Sequence, residues 1–80
     1  MENVVWSMDM CSSCDQVKEL LKKKGIEFVE RNCADLVNGT EKNLKAIRYF
    51  VKNNYKAPIV LFDGEFFTSE QLEEKFLTNE

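Results

Sequence analysis

The order of hydrophobic patterns along the chain predicts an α/β fold, β-α-β-α-β-β-α, with a mixed four-stranded sheet and three helices. Three observations carry this. Short β-branched runs at 3–7 and 26–31 flank a segment of helical period, so those strands are expected to be parallel and joined by a right-handed crossover. The continuous apolar run Ile59-Val60-Leu61-Phe62 reads as a central strand buried on both faces. Asp63-Gly64 follows it directly and marks a tight hairpin, which makes the last two strands antiparallel.

Each element has its own local reason. Asn3-Val4-Val5-Trp6-Ser7 is β-branched and aromatic, and Met8-Asp9-Met10 leaves it as a loop. From Ser12 to Lys24, Cys14, Val17, Leu20 and Leu21 share a face, with Lys18, Lys22 and Lys23 on another. Lys22, Lys23 and Lys24 suit the negative end of that helix, and Gly25 suits the position just past it. Ile26 to Arg31 is the second strand. Asn32 to Thr40 is polar, contains Asn38-Gly39 and reads as a loop. Glu41 to Asn53 is the second helix, with Leu44, Ile47 and Val51 inward beside Phe50, and Lys45, Arg48 and Lys52 as an exposed basic stripe. Glu65-Phe66-Phe67 returns along the hairpin. Thr68 and Gln71 then form a capping box that opens a last helix with Leu72, Phe76 and Leu77 inward.

Composition narrows the function. Eighty residues, 44% apolar and 31% charged, suit one soluble domain spanning 1–80. The chain has no histidine, which removes Cys-His and Ser-His catalytic pairs and His-containing metal sites. A net charge of −3 gives no basic footprint for nucleic acid. No apolar run approaches the length of a membrane span. The N-terminus lacks the basic-then-apolar form of a signal peptide, so a cytoplasmic setting is expected. Glycine and proline are scarce, which confines any loose segment to the tail at 77–80.

The chemistry lies in Cys11-Ser12-Ser13-Cys14, placed between the first strand and the first helix. A thiolate at a helix N-terminus meets the positive end of the dipole and unpaired amides, which lower its pKa. Cys14 lies one turn further on, within disulfide reach, on the apolar face with Val17 and Leu21. That division makes Cys11 the nucleophile and Cys14 the resolving thiol. The Ser12 and Ser13 hydroxyls are placed to support the sulfur. Zinc is the competing reading of Cys-x-x-Cys, but Cys33 is the only further thiol, so no metal site is expected. Cys33 itself reads as a structural thiol, with regulatory glutathionylation the alternative. Trp6 reads as core, with shielding of the Cys11 sulfur the alternative.

Pro58 is the only proline and opens the most apolar strand. A trans proline at a strand edge is the commoner case; a cis bond would aim the Ala57 backbone toward the Cys11 sulfur and offer it to a substrate strand.

Val4-Val5-Trp6-Ser7 before Cys11-Ser12-Ser13-Cys14, Lys24-Gly25-Ile26-Glu27-Phe28, and Ala57-Pro58-Ile59-Val60 before a hairpin together resemble a glutaredoxin, of the small dithiol kind found in bacteria and phages. The likeness spans nearly the whole chain and implies the thioredoxin-like fold. It also implies a cis Pro58, catalytic Cys11 and Cys14, and glutathione as reductant. The glutathione groove would use Tyr55, Lys56 and Ala57 on one side and Thr68, Ser69 and Glu70 at the start of the last helix. Implied partners are glutathione and disulfide-containing proteins such as ribonucleotide reductase, met by a monomer. Met8 stands where many glutaredoxins carry a lysine, and Lys56-Ala57 where threonine and valine are common. Three alternatives stay open: a redoxin fed by thioredoxin reductase, a glutaredoxin that binds a glutathione-ligated iron–sulfur cluster, and a non-catalytic adaptor.

Overall fold

The computed structural model describes residues 2–78. Its elements are β1 (Val4–Ser7), α1 (Ser12–Lys23), β2 (Val29–Asn32), α2 (Ala34–Asn38), α3 (Leu44–Lys52), β3 (Ile59–Phe62), β4 (Glu65–Phe67) and α4 (Ser69–Thr78). The strands lie in the order β2-β1-β3-β4. β1 is parallel to β2, and the other two pairings are antiparallel. The mixed four-stranded sheet is the one expected, with four helices rather than three.

Strand alternation divides the core in two. Val4, Trp6 and Ile59 pack on one face with Cys33, Leu36, Ala46 and Phe50 from the α2 and α3 side. Val5 and Val60 pack on the other with Val17 and Leu21 of α1 and Leu72 of α4. Successive strand residues point to opposite faces, so β1 and β3 are covered on both sides. Each fully buried aliphatic side chain here contributes about 1.5–3 kcal/mol. Phe66 joins the first cluster and Phe67 the second.

The termini of α1 follow from its sequence. Gly25 has φ 72°, its N–H donates to Lys22 O, and the Ile26 N–H donates to Leu21 O at 2.9 Å. This is the glycine-terminated Schellman arrangement. It also delays the second strand. Ile26 and Phe28 turn into the core without pairing, and β2 begins at Val29, three residues later than expected.

Two further elements differ from the sequence reading. The loop expected at 32–40 contains α2, which exists to bury Leu36 and ends at Gly39 in the left-handed region. Five residues are too few to show a helical period. α3 begins at Leu44 rather than Glu41, because the Asn43 side chain caps it, accepting from the Lys45 and Ala46 amides. Its buried face is Ala46 and Phe50, with Ile47 half-buried, whereas Leu44 and Val51, expected inward, are exposed. The basic stripe Lys45, Arg48 and Lys52 is exposed as expected.

At the C-terminal end, Asp63 and Gly64 both have positive φ, as a two-residue hairpin turn requires. The capping box forms in both directions: the Gln71 N–H donates to Thr68 Oγ1 and the Thr68 N–H donates to Gln71 Oε1. In α4 Leu72 is buried and Phe76 half-buried, but Leu77 is exposed. Of the tail expected to be loose, 77 and 78 belong to α4, and 79–80 lie outside the described residues.

Candidate active site

Register brings one end of the sheet together. Ser7 ends β1 opposite Asn32, the last residue of β2. Trp6 pairs with Ile59, so β3 enters the sheet where β1 leaves it. Val60 pairs with Phe67, so β4 ends there too and hands over to Thr68. The cysteine loop, Pro58 and the start of α4 therefore share one edge of the molecule.

The loop turns at Met10, which is fully exposed with φ 56°. Cys11 follows as the N-cap of α1 with extended backbone. Its sulfur accepts from the Cys14 N–H at 3.1 Å, and its carbonyl accepts from the Asp15 N–H at 3.2 Å. An amide that no helical carbonyl can satisfy is thus aimed at sulfur. Cys11 is half-buried, whereas Cys14 is buried in the same row as Val17 and Leu21. Cys11 and Cys14 form a disulfide with Cα atoms 5.2 Å apart, within the ordinary range. Ser12 is exposed and Ser13 half-buried. The arrangement has what reversible dithiol–disulfide exchange needs: one accessible sulfur held by an amide, and a second behind it within bonding reach.

Pro58 is buried, and the Ala57–Pro58 bond is cis. The chain reaches it through Asn54 and Tyr55, both with φ near 60°, while the Asn53 side chain donates to Tyr49 O at 2.8 Å. The exposed Tyr55 ring stands edge-on to Phe50, with centroids 5.5 Å apart. Lys56 is exposed and Ala57 packs against the core. On the neighbouring element Thr68 and Ser69 are half-buried and Glu70 is exposed. The capping box already uses the Thr68 N–H as donor and its hydroxyl oxygen as acceptor. Tyr49 Oη reinforces it by donating to Gln71 Oε1 at 2.7 Å, and its ring stacks on Phe66 at 5.4 Å. Burial pushes the Tyr49 hydroxyl pKa up.

The cleft that includes Cys11 opens on the other side, toward β2, with a volume of about 480 Å³. Lys18 and Glu30 meet across it at 2.6 Å, and the Ser7 hydroxyl donates to the same Glu30 oxygen at 3.0 Å. In the sequence pattern Lys18 falls on a face apart from the apolar one and Glu30 lies within the second strand. Their meeting depends on where β2 runs beside α1, which no local pattern states. Cys33 lies in the opposite core cluster, fully buried, and burial pushes its thiol up to about 11. Trp6 is in that cluster too, with its indole N–H on Glu41.

The fold defined by this sheet and these helices is thioredoxin-like. Among solved structures the chain resembles the thioredoxin-like protein BC3987, with TM-score 0.62 and 24% identity over 95% of this chain and 97% of that one. A mutant form of BC3987 gives TM-score 0.61 and 23% identity over 99% of this chain and 100% of that one. No curated protein matches the sequence at a significant level. The glutaredoxin family model matches residues 3–67, more than half of the chain, so the protein belongs to the glutaredoxin family. Family, fold and the Cys11–Cys14 pair together support a thiol–disulfide redox role. Among the described residues no group of three or more His, Cys, Asp or Glu is placed to hold a metal ion, and no helix is long and apolar enough to cross a membrane.

Proposed function

We propose that the protein is a cytoplasmic, monomeric oxidoreductase that reduces protein disulfides or glutathione mixed disulfides through Cys11. The supporting observation is the asymmetry of the pair: Cys11 is half-buried with the Cys14 amide on its sulfur, and Cys14 is buried behind it. The Cys11 thiolate attacks one sulfur of the substrate disulfide. That bond breaks, a mixed disulfide forms, and the departing thiolate takes a proton. The Cys14 thiolate then attacks Cys11 sulfur, releasing the second substrate thiol and leaving the Cys11–Cys14 disulfide. Two glutathione molecules return the pair to dithiol and leave as glutathione disulfide. In this reading Pro58 and the Ala57 backbone hold the substrate chain, Ser12 and Ser13 line the attack site, and Tyr55, Lys56, Thr68, Ser69 and Glu70 contact glutathione. Ribonucleotide reductase is the proposed protein substrate.

A specific observation favours a second reading, reduction by thioredoxin reductase. The Thr68 N–H donates to Gln71 and its hydroxyl oxygen accepts from the Gln71 N–H, which leaves fewer groups to receive a tripeptide. Coupled NADPH oxidation separates the two. Glutathione with glutathione reductase supports turnover of a small mixed disulfide in the first reading, and only thioredoxin reductase does so in the second. Cys11→Ser abolishes either. A protein inert in both systems is not an oxidoreductase of this kind.

A further inference from the structure

The cleft beside Cys11 is lined by three carboxylates and two cations. Asp9 comes from the loop, Asp15 and Lys18 from α1, and Glu30 and Arg31 from β2. The two cations are not equivalent. Arg31 is drawn away by Glu41 at 3.2 Å and by Glu2 at 3.5 Å. Lys18 is turned inward, with Nζ 2.6 Å from Glu30 and 3.5 Å from Asp15. Lys56 and Glu70, exposed on the Pro58 side, do not line this cleft.

Helix geometry explains the placement of Lys18. Asp15 and Lys18 are spaced i, i+3 on one face of α1, and Cys11 caps that helix with extended backbone four residues before Asp15. Helical side chains lean toward the N-terminus, the end of α1 that Cys11 caps, and Lys18 and Cys11 line the same cleft. Met8, on the loop before Cys11, is uncharged. Without Lys18, the cleft would set Asp9, Asp15 and Glu30 beside a sulfur that must ionise to react. Carboxylates close to a thiol raise its pKa, and a cation lowers it.

We infer that Lys18 is a positioning residue for the exchange reaction: held by Glu30 and Asp15, it offsets the acidic cleft and keeps the Cys11 thiolate available near neutral pH. The inference rests on the reading of Cys11 as the nucleophile. Lys18 and Glu30 keep their charges through the relevant range. The hydrogen bond to Glu30 holds Lys18 above its ordinary value, and the bonds from Lys18 and then Ser7 hold Glu30 below its own. A change in reactivity between pH 5 and 9 therefore does not arise from titration of Lys18 or Glu30.

The test is the pH profile of iodoacetamide alkylation of the reduced protein, with Cys11, Cys14 and Cys33 resolved by peptide mass spectrometry. Lys18→Gln is expected to slow Cys11 alkylation at pH 6 by about threefold, as for removal of a partly screened charge. The midpoint moves up and the high-pH limit stays unchanged. Lys18→Arg restores the wild-type profile. Glu30→Gln moves the midpoint down, and the double variant falls between the singles. A Lys18→Gln profile that overlays wild type overturns the inference, as does an equal slowing at every pH, which would mean altered access. In both cases preferential alkylation of Cys11 in the wild type leaves the nucleophile reading standing. Equal rates at Cys11 and Cys14 in the wild type would remove that reading itself.

Discussion

The indole N–H of Trp6 donates to Glu41 Oε1 at 2.8 Å, tying the buried middle of β1 to the segment that enters α3. The same carboxylate accepts from Arg31 Nη1 of β2 and from the Asn43 N–H at 3.0 Å. Asn43 in turn caps α3. One nearly buried acid thus joins two strands and a helix start on the face opposite α1.

This predicts an acid-sensitive contribution to stability. Burial alone would push the Glu41 carboxyl up, but the Asn43 amide, Trp6 and Arg31 outweigh it and hold the group below its ordinary value. A depressed carboxyl stabilises the fold fully above the unfolded-state pKa, and that contribution is lost as pH falls through the folded-state value. Glu41→Gln is expected to lower the unfolding free energy at pH 7 by about 1–3 kcal/mol. In urea titrations the gap to wild type should close toward pH 3. A gap that does not change with pH contradicts the network.

Thr68 tests whether one residue serves both the helix and the ligand. Loss of the cap in Thr68→Ala is expected to cost about 1 kcal/mol in chemical denaturation. If Thr68 also contacts glutathione, KM for glutathione rises in the coupled assay while kcat holds. An unchanged KM together with the lost stability assigns Thr68 to the capping box alone.

Cys33 is expected to be inert. It is fully buried and its thiol is pushed up to about 11 by that burial. In oxidised protein it is the remaining free thiol. Ellman's reagent at pH 8 should find none in the native state and one after unfolding. Rapid native reaction would instead favour the regulatory reading.

Local signals carried the fold wherever one stretch of sequence holds its own answer. Gly25, Asp63-Gly64 and the Thr68–Gln71 pair each act within a few residues, and each stands where its chemistry requires. The Cys11-x-x-Cys14 pair was legible for the same reason. What escaped depends on distant partners. Glu41 reads as the first residue of the second helix, yet it lies outside α3 and bonds to Trp6 and Arg31. α2 buries Leu36 among side chains of other elements. The Lys18–Glu30 pair forms because β2 runs beside α1, a consequence of the parallel pairing with β1.

The division of labour between Cys11 and Cys14 is tested most directly by trapping. Reduced Cys14→Ser, incubated with glutathione disulfide and read by intact and peptide mass spectrometry, should gain one glutathione on Cys11 and retain it, because no second thiol resolves the bond. An adduct on Cys33, or none on Cys11, would contradict the assignment of Cys11 as nucleophile.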